Sequence, residues 1–209
     1  MSKEAKTYEV KFEIAGTAAM FTRPDTGATP ISYPVPTYSA AKGMFESIAR
    51  IKSAYIAPTK VEICSPIQYH QYTTNYRGAL RKSNQLSKES SYQLFATILI
   101  DVCYRIYGVV RELNKPNKNE VITTNHLHLL EEKFNRRLKN GRWYHIPCLG
   151  WNEFTPIYVG PFREDTKVEE SIEQIIPSML FSVFESPTKY KPIYKQNVWI
   201  KKGVLKYVE

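Results

Sequence analysis

Thr97-Ile98-Leu99-Ile100-Asp101-Val102-Cys103-Tyr104-Arg105-Ile106 lies inside a longer run, Tyr92 to Val110, rich in Ile, Val, Tyr and Phe. β-Branched and aromatic residues at this density predict one long central strand. What flanks that strand decides the fold.

Upstream, Tyr8, Val10, Phe12 and Ile14 alternate with Glu9, Lys11 and Glu13, the period-2 pattern of a half-buried strand, and Gly16 is expected to close it. An irregular Thr-, Pro- and Gly-rich loop follows from Thr22 to Thr37. Ala40, Ala41, Met44, Phe45 and Ile48 then share one helical stripe, with Thr37 or Ser39 as N-cap. Val61, Ile63 and Ile67 suggest a second strand interrupted at Pro66, and residues 73–91 read as a basic loop or insertion. Downstream of the central strand comes a turn at Asn114-Lys115-Pro116-Asn117. Leu127, Leu130, Phe134 and Leu138 form a second amphipathic helix stopped by Gly141, and Trp143 to Leu149 reads as a further strand.

The order is β-α-β-β-α-β, so the fold class is α+β and ferredoxin-like, the arrangement used by RNA-recognition domains. A strand at Met179–Phe184 and a hairpin (Val198–Lys201 with Val204–Val208, turning at Lys202-Gly203) follow an acidic stretch. They read as a small C-terminal β extension. The division is 1–155 for the ferredoxin-like domain and 156–209 for the appendage.

Across the 209 residues, Lys and Arg number 29 against 20 Asp and Glu, a net charge of +9. A surplus of this size favours a polyanionic partner, nucleic acid before membrane. Fifteen tyrosines beside those cations suit single-stranded nucleic acid, where bases stack and phosphates pair; core packing is the competing use of any one ring. Cys64, Cys103 and Cys148 make no CxxC pair, which argues against a disulfide framework or a cysteine zinc site. The start, Met1-Ser2-Lys3-Glu4-Ala5-Lys6, carries no apolar signal core, and no apolar run reaches membrane-span length. A cytoplasmic protein with no membrane partner is expected.

The chain has no GxxxxGK[ST], HExxH, GxSxG or EF-hand loop. His126 and His128 are two apart near a helix start and do not share a helical face, so a metal there needs ligands from elsewhere. No metal and no cofactor is expected. Lys133, Arg136, Arg137, Lys139 and Arg142 crowd one end of the second helix, directly before Trp143, Tyr144 and His145. Cations for phosphates beside rings for bases make an RNA-contact constellation; the alternative is a solvated face paired with Glu131 and Glu132. The lysines from Lys189 to Lys206 are a weaker signal, since exposed hairpins use lysine for edge protection.

Phe21-Thr22-Arg23-Pro24-Asp25 and Ser32-Tyr33-Pro34-Val35-Pro36-Thr37-Tyr38-Ser39-Ala40-Ala41-Lys42-Gly43-Met44-Phe45-Glu46-Ser47-Ile48 resemble the N-terminal block of the CRISPR-associated Cas-five family, type I-C (Dvulg subtype). Ser65-Pro66-Ile67-Gln68, Phe134-Asn135-Arg136-Arg137, Tyr144 to Phe154, Ser178-Met179-Leu180-Phe181 and Val198-Trp199-Ile200 continue the likeness in order. The resemblance implies a Cascade surveillance-complex subunit that holds the 5′ handle of CRISPR RNA. Other Cascade subunits, especially the backbone and large subunits, would be its partners, and target DNA would be engaged indirectly. It also implies metal-independent cutting of precursor RNA. The alternatives are a dedicated metal-independent endoribonuclease and an RNA-binding structural protein outside CRISPR. From the resemblance and the charge pattern together, the RNA-binding candidates are Arg23, Tyr33, Lys42, Arg77, Arg81, Lys82, Arg136, Arg137, Lys139, Arg142 and His145. The family's Tyr after "ESI" is Ala49 here, and its Lys pair falls on Leu129 and Leu130. His126 and His128 are therefore the catalytic candidates, with Tyr38, Tyr55 and Lys133 as further partners.

Overall fold

A computed structural model describes residues 6–27, 29–76, 92–113, 125–186 and 189–207. Its centre is β4 (Tyr92–Glu112), the 21-residue strand expected from the Ile- and Val-rich run. The length lets β4 serve two sets of neighbours. Its first half pairs with β3 (Gln68–Tyr76). Its second half lies between β1 (Glu9–Ala19) and β2 (Ala54–Ile63), antiparallel to both.

The sheet order among the described residues is β5-β1-β4-β2-β8-β7-β6, with β3 on β4 outside this path. Here β5 is Tyr158–Gly160, β6 Gln174–Ser186, β7 Lys189–Lys201 and β8 Val204–Lys206. The C-terminal hairpins are therefore continuous with the first strands, because Lys60, Val61 and Glu62 of β2 pair with β8.

Helices α1 (Tyr38–Ile48) and α2 (His126–Asn140) cover one face of the sheet. Phe12, Phe45 and Phe134, one from β1 and one from each helix, meet with ring centroids 5.0 to 6.1 Å apart, and all three are fully buried. Edge-on aromatic packing of this kind adds to the burial of their large apolar surfaces. Gly108 of β4 permits the close approach of α1: a Cβ there would lie 2.9 Å from Phe45 Cζ and 2.6 Å from Ile56 Cγ2. Both helices start on side-chain caps. Thr37 Oγ1 accepts from Ala40 N at 3.1 Å, and Asn125 Oδ1 accepts from Leu127 N and His128 N at 3.1 Å each. Ser39, the other N-cap expectation, instead donates to the Phe181 carbonyl. Gly141 ends α2 at φ 62, where only glycine is unstrained.

Three expectations are corrected. β1 runs through Gly16 to Ala19, because that glycine makes room for Leu149 Cδ1 rather than breaking the strand. Residues 73–76 belong to β3, and residues 77–91 lie outside the described residues. Trp143 to Leu149 is not a strand. Its amides turn toward α1, with Tyr144 N on the Ile48 carbonyl at 3.3 Å and His145 N on the Ser47 carbonyl at 2.8 Å. The strand that pairs with β1 comes later, at β5.

On the face away from the helices, the fully buried Glu13 anchors the segment after β5. Arg163 Nε donates to its Oε1 at 2.6 Å, Thr166 Oγ1 to its Oε2 at 2.7 Å, and Arg105 Nε to its Oε2 at 3.3 Å. Burial alone would raise the Glu13 carboxyl; the bonds from Thr166, Arg163 and Arg105 outweigh it and hold its pKa below the usual value.

Candidate nucleic-acid interface

The two helices meet at an end-to-side junction. α1 ends at Ile48 with no basic residue in its last turn, so its carbonyl end carries an unneutralised partial negative charge. The cations come from elsewhere. Arg137 Nη1 donates to the Ile48 carbonyl at 3.2 Å, and Lys133 Nζ to the Arg50 carbonyl at 3.1 Å. The segment after α2 docks on the same end through the Tyr144 and His145 amides. The Arg137 guanidinium lies 5.8 Å from the Tyr144 ring centroid, and the Tyr144 and His145 rings meet edge to face at 4.4 Å.

Tyr144 and His145 are exposed, as are Arg136, Lys139 and Arg142. Arg136 pairs with Glu132 at 3.8 Å, but both side chains remain about 60% in solvent (65% and 59%), where such a pair contributes little. The junction thus presents guanidinium and ammonium groups beside one phenol and one imidazole. It can neutralise phosphates, stack a base and accept a proton at one small surface.

Of these candidates the structure brings Arg137 and His145 together around Tyr144, with Arg136, Lys139 and Arg142 exposed on the adjoining residues of the chain. His126 and His128 lie at the other end of α2; nine residues separate His128 from Arg137, about 14 Å along a helix axis. His128 Nδ1 is 3.4 Å from Glu131 Oε2, and its ring is 6.0 Å from that of Tyr8. Ala49 is buried at the end of α1, Leu130 is in the core, and Leu129 faces solvent.

Of the remaining candidates, Arg23 and Tyr33 lie together, the guanidinium 5.9 Å from the ring centroid, away from the junction. Arg23 makes a two-point pair with Asp25, at 3.1 and 2.7 Å, and that hydrogen bond raises its pKa. Tyr33 is 2% exposed and its hydroxyl accepts from Leu180 N at 3.1 Å; burial raises its pKa. Lys42 lies between Glu46 at 3.9 Å and the Tyr55 ring at 4.9 Å. Arg77, Arg81 and Lys82 fall outside the described residues. Among the described residues no cluster of three metal-ligating side chains occurs, and no helix is long and apolar enough to cross a membrane.

Comparison with known proteins bears on the same residues. The family described as CRISPR-associated protein (Cas_Cas5) matches residues 9–190. A relative from Mannheimia succiniciproducens, named CRISPR pre-crRNA endoribonuclease Cas5d, is 29% identical in a 160-residue alignment that covers 69% of this chain and 69% of the relative. A crystal structure titled as a CRISPR-associated protein superposes with a TM-score of 0.73 at 20% identity, over 98% of this chain and 95% of that one. A chain of a CRISPR RNA-guided surveillance complex superposes at 0.52 and 14% identity, over 96% of this chain and 91% of that one.

Proposed function

The chain belongs to the CRISPR-associated Cas5 family, and we propose that it holds the 5′ handle of CRISPR RNA within a type I-C Cascade, with the handle seated on the α1–α2 junction. The observation that carries this reading is the convergence of Lys133, Arg137, Tyr144 and His145 on the carbonyl end of α1. The likeness to a surveillance-complex chain supports assembly with other Cascade subunits; the proposed neighbours are the backbone and large subunits, with target DNA met through them. The antiparallel order β5-β1-β4-β2, with α1 and α2 on one face, supports a ferredoxin-like unit closed by β5. The residues after β5 then form the C-terminal β extension, which moves the expected boundary from residue 155 to Gly160.

The name of the Mannheimia relative supports precursor processing as a second activity of this site. Metal-independent cutting needs a base on the ribose 2′-OH, a cation for the phosphorane charge and an acid for the leaving 5′-oxygen. Attack of the 2′-oxygen on phosphorus expels that 5′-oxygen and leaves a 2′,3′-cyclic phosphate. His145 is the proton-transfer group, since histidine changes charge near neutral pH, and Arg137 and Lys133 supply the positive charge. Tyr144 stacks the adjacent base. The test is incubation with labelled repeat RNA in EDTA, scored for binding and cutting. Retention of the RNA with product ending in a cyclic phosphate supports both parts; no binding to repeat RNA refutes the reading.

A further inference from the structure

At the opposite end of α1 from the junction, its first turn meets the C-terminal hairpins around a groove of about 510 Å³. That volume falls within the range of small-ligand sites. Its wall is aromatic. Tyr38 and Phe181 stack at 4.2 Å with an interplanar angle of 16°, and Tyr207 meets Tyr38 edge-on at 5.8 Å. Trp199, 53% exposed, forms the outer lip. The charges are all of one sign. Lys195 Nζ lies 5.0 Å from the Phe181 centroid and Lys201 Nζ 5.8 Å from that of Trp199, Lys206 adds a third cation, and no carboxylate lines the groove among the described residues. Gln196 and Asn197 also line the groove, with Gln196 Nε2 donating to Ser178 Oγ at 3.2 Å.

Rings that can stack and cations that can meet phosphates are the complement of an unpaired nucleotide. We propose that this groove takes one unstacked base of single-stranded RNA, seated against Trp199, with the flanking phosphates on Lys195 and Lys201. The proposal rests on the RNA-binding reading above and adds a second contact to it. α1 links the two: Tyr38 and Ile48 are its first and last residues, about 15 Å apart along the axis. One strand held at the junction can therefore reach the groove within a few nucleotides.

The test uses the full chain and two RNAs, the repeat handle and a ten-nucleotide single strand of unrelated mixed sequence. The decamer should quench tryptophan fluorescence in the parent protein. Trp199→Phe, which keeps a ring, should lose most of that quench. Trp199→Ala should weaken decamer binding about tenfold, and Lys195→Ala with Lys201→Ala should lower the salt slope by about one to two. Unchanged melting temperatures exclude misfolding. Unchanged affinity in Trp199→Ala, or protection of the groove that appears only when another protein subunit is added, overturns the proposal. If Trp199→Ala leaves handle binding intact while Arg136→Ala with Arg137→Ala abolishes it, the groove proposal falls and the junction stands. If the handle binds no better than the decamer and only Trp199→Ala weakens both, the groove stands and the handle reading falls.

Discussion

Arg137 Nη1, in the last turn of α2, donates to the carbonyl of Ile48, the last residue of α1, at 3.2 Å. One guanidinium thus ties the ends of two helices together while sitting at the surface assigned to RNA. Its neighbour Arg136 points into solvent and has no such tie. The pair separates structural from binding effects.

Arg137→Ala should cost about 1 kcal/mol, the typical net value of one hydrogen bond. In a chain of this size that lowers the melting temperature by about 2–4 °C, measured by calorimetry or circular dichroism. Arg136→Ala should leave it unchanged. Equal melting temperatures for both variants would show that the Ile48 contact holds nothing in place.

Glu13→Gln should destabilise the fold by about 3 kcal/mol, because it leaves Arg105 and Arg163 without their carboxylate. The sign of the pH effect follows from the lowered pKa of Glu13. Its stabilisation is present above the unfolded glutamate value, about pH 4.3, and is lost as pH falls through the lower folded value. Urea unfolding from pH 7 to pH 3 should therefore show a shallower acid limb in Glu13→Gln than in the parent. Identical limbs would contradict the assignment.

Gly108→Ala should cost about 1–3 kcal/mol by overpacking, since its new methyl meets Phe45 and Ile56. Relief by Phe45→Leu in the same chain would locate the clash; a stable single variant would mean that α1 can shift outward.

Much of this fold is legible in the sequence, for reasons visible in particular residues. The Ile- and Val-rich run around Ile98 and Ile106 specifies the central strand, and the Leu127–Leu138 stripe with Gly141 specifies α2, because local pattern and tertiary burial agree there. The segment from Trp143 to Leu149 is misread as a strand because the amides of Tyr144 and His145 bond the last carbonyls of α1, a partner nearly 100 residues away in sequence, rather than a neighbouring strand. Nothing local announces that. Gly16 is misread as a stop because the side chain that needs its space, Leu149, is equally remote. The basic and aromatic cluster after Lys133 is legible as a surface, since its members are sequence neighbours. The groove of Tyr38, Phe181 and Trp199 is not, since its rings come from distant positions.

The proton-transfer assignment has two candidates, at opposite ends of α2. Sequence points to His126 and His128, close to the family's Lys position, whereas the proposal takes His145, whose ring meets that of Tyr144 where Lys133 and Arg137 bond the carbonyls at and just after the end of α1. If precursor RNA is cut in EDTA, His145→Ala should slow cutting at least about 100-fold, the lower range for a general acid–base group. His126→Ala and His128→Ala should remain within a few-fold. Loss of cutting in either of the latter, with His145→Ala active, would move the active site to the start of α2.

The most direct measurement of the central claim is the salt dependence of repeat-RNA binding in the parent and in Arg136→Ala with Arg137→Ala. Phosphate neutralisation releases counterions, so the logarithm of affinity falls linearly with the logarithm of salt. With the handle on the α1–α2 junction, the double variant should bind more weakly and with a slope smaller by about one to two. An unchanged slope and affinity, in a variant that melts within about 5 °C of the parent, would contradict the claim that this junction holds RNA.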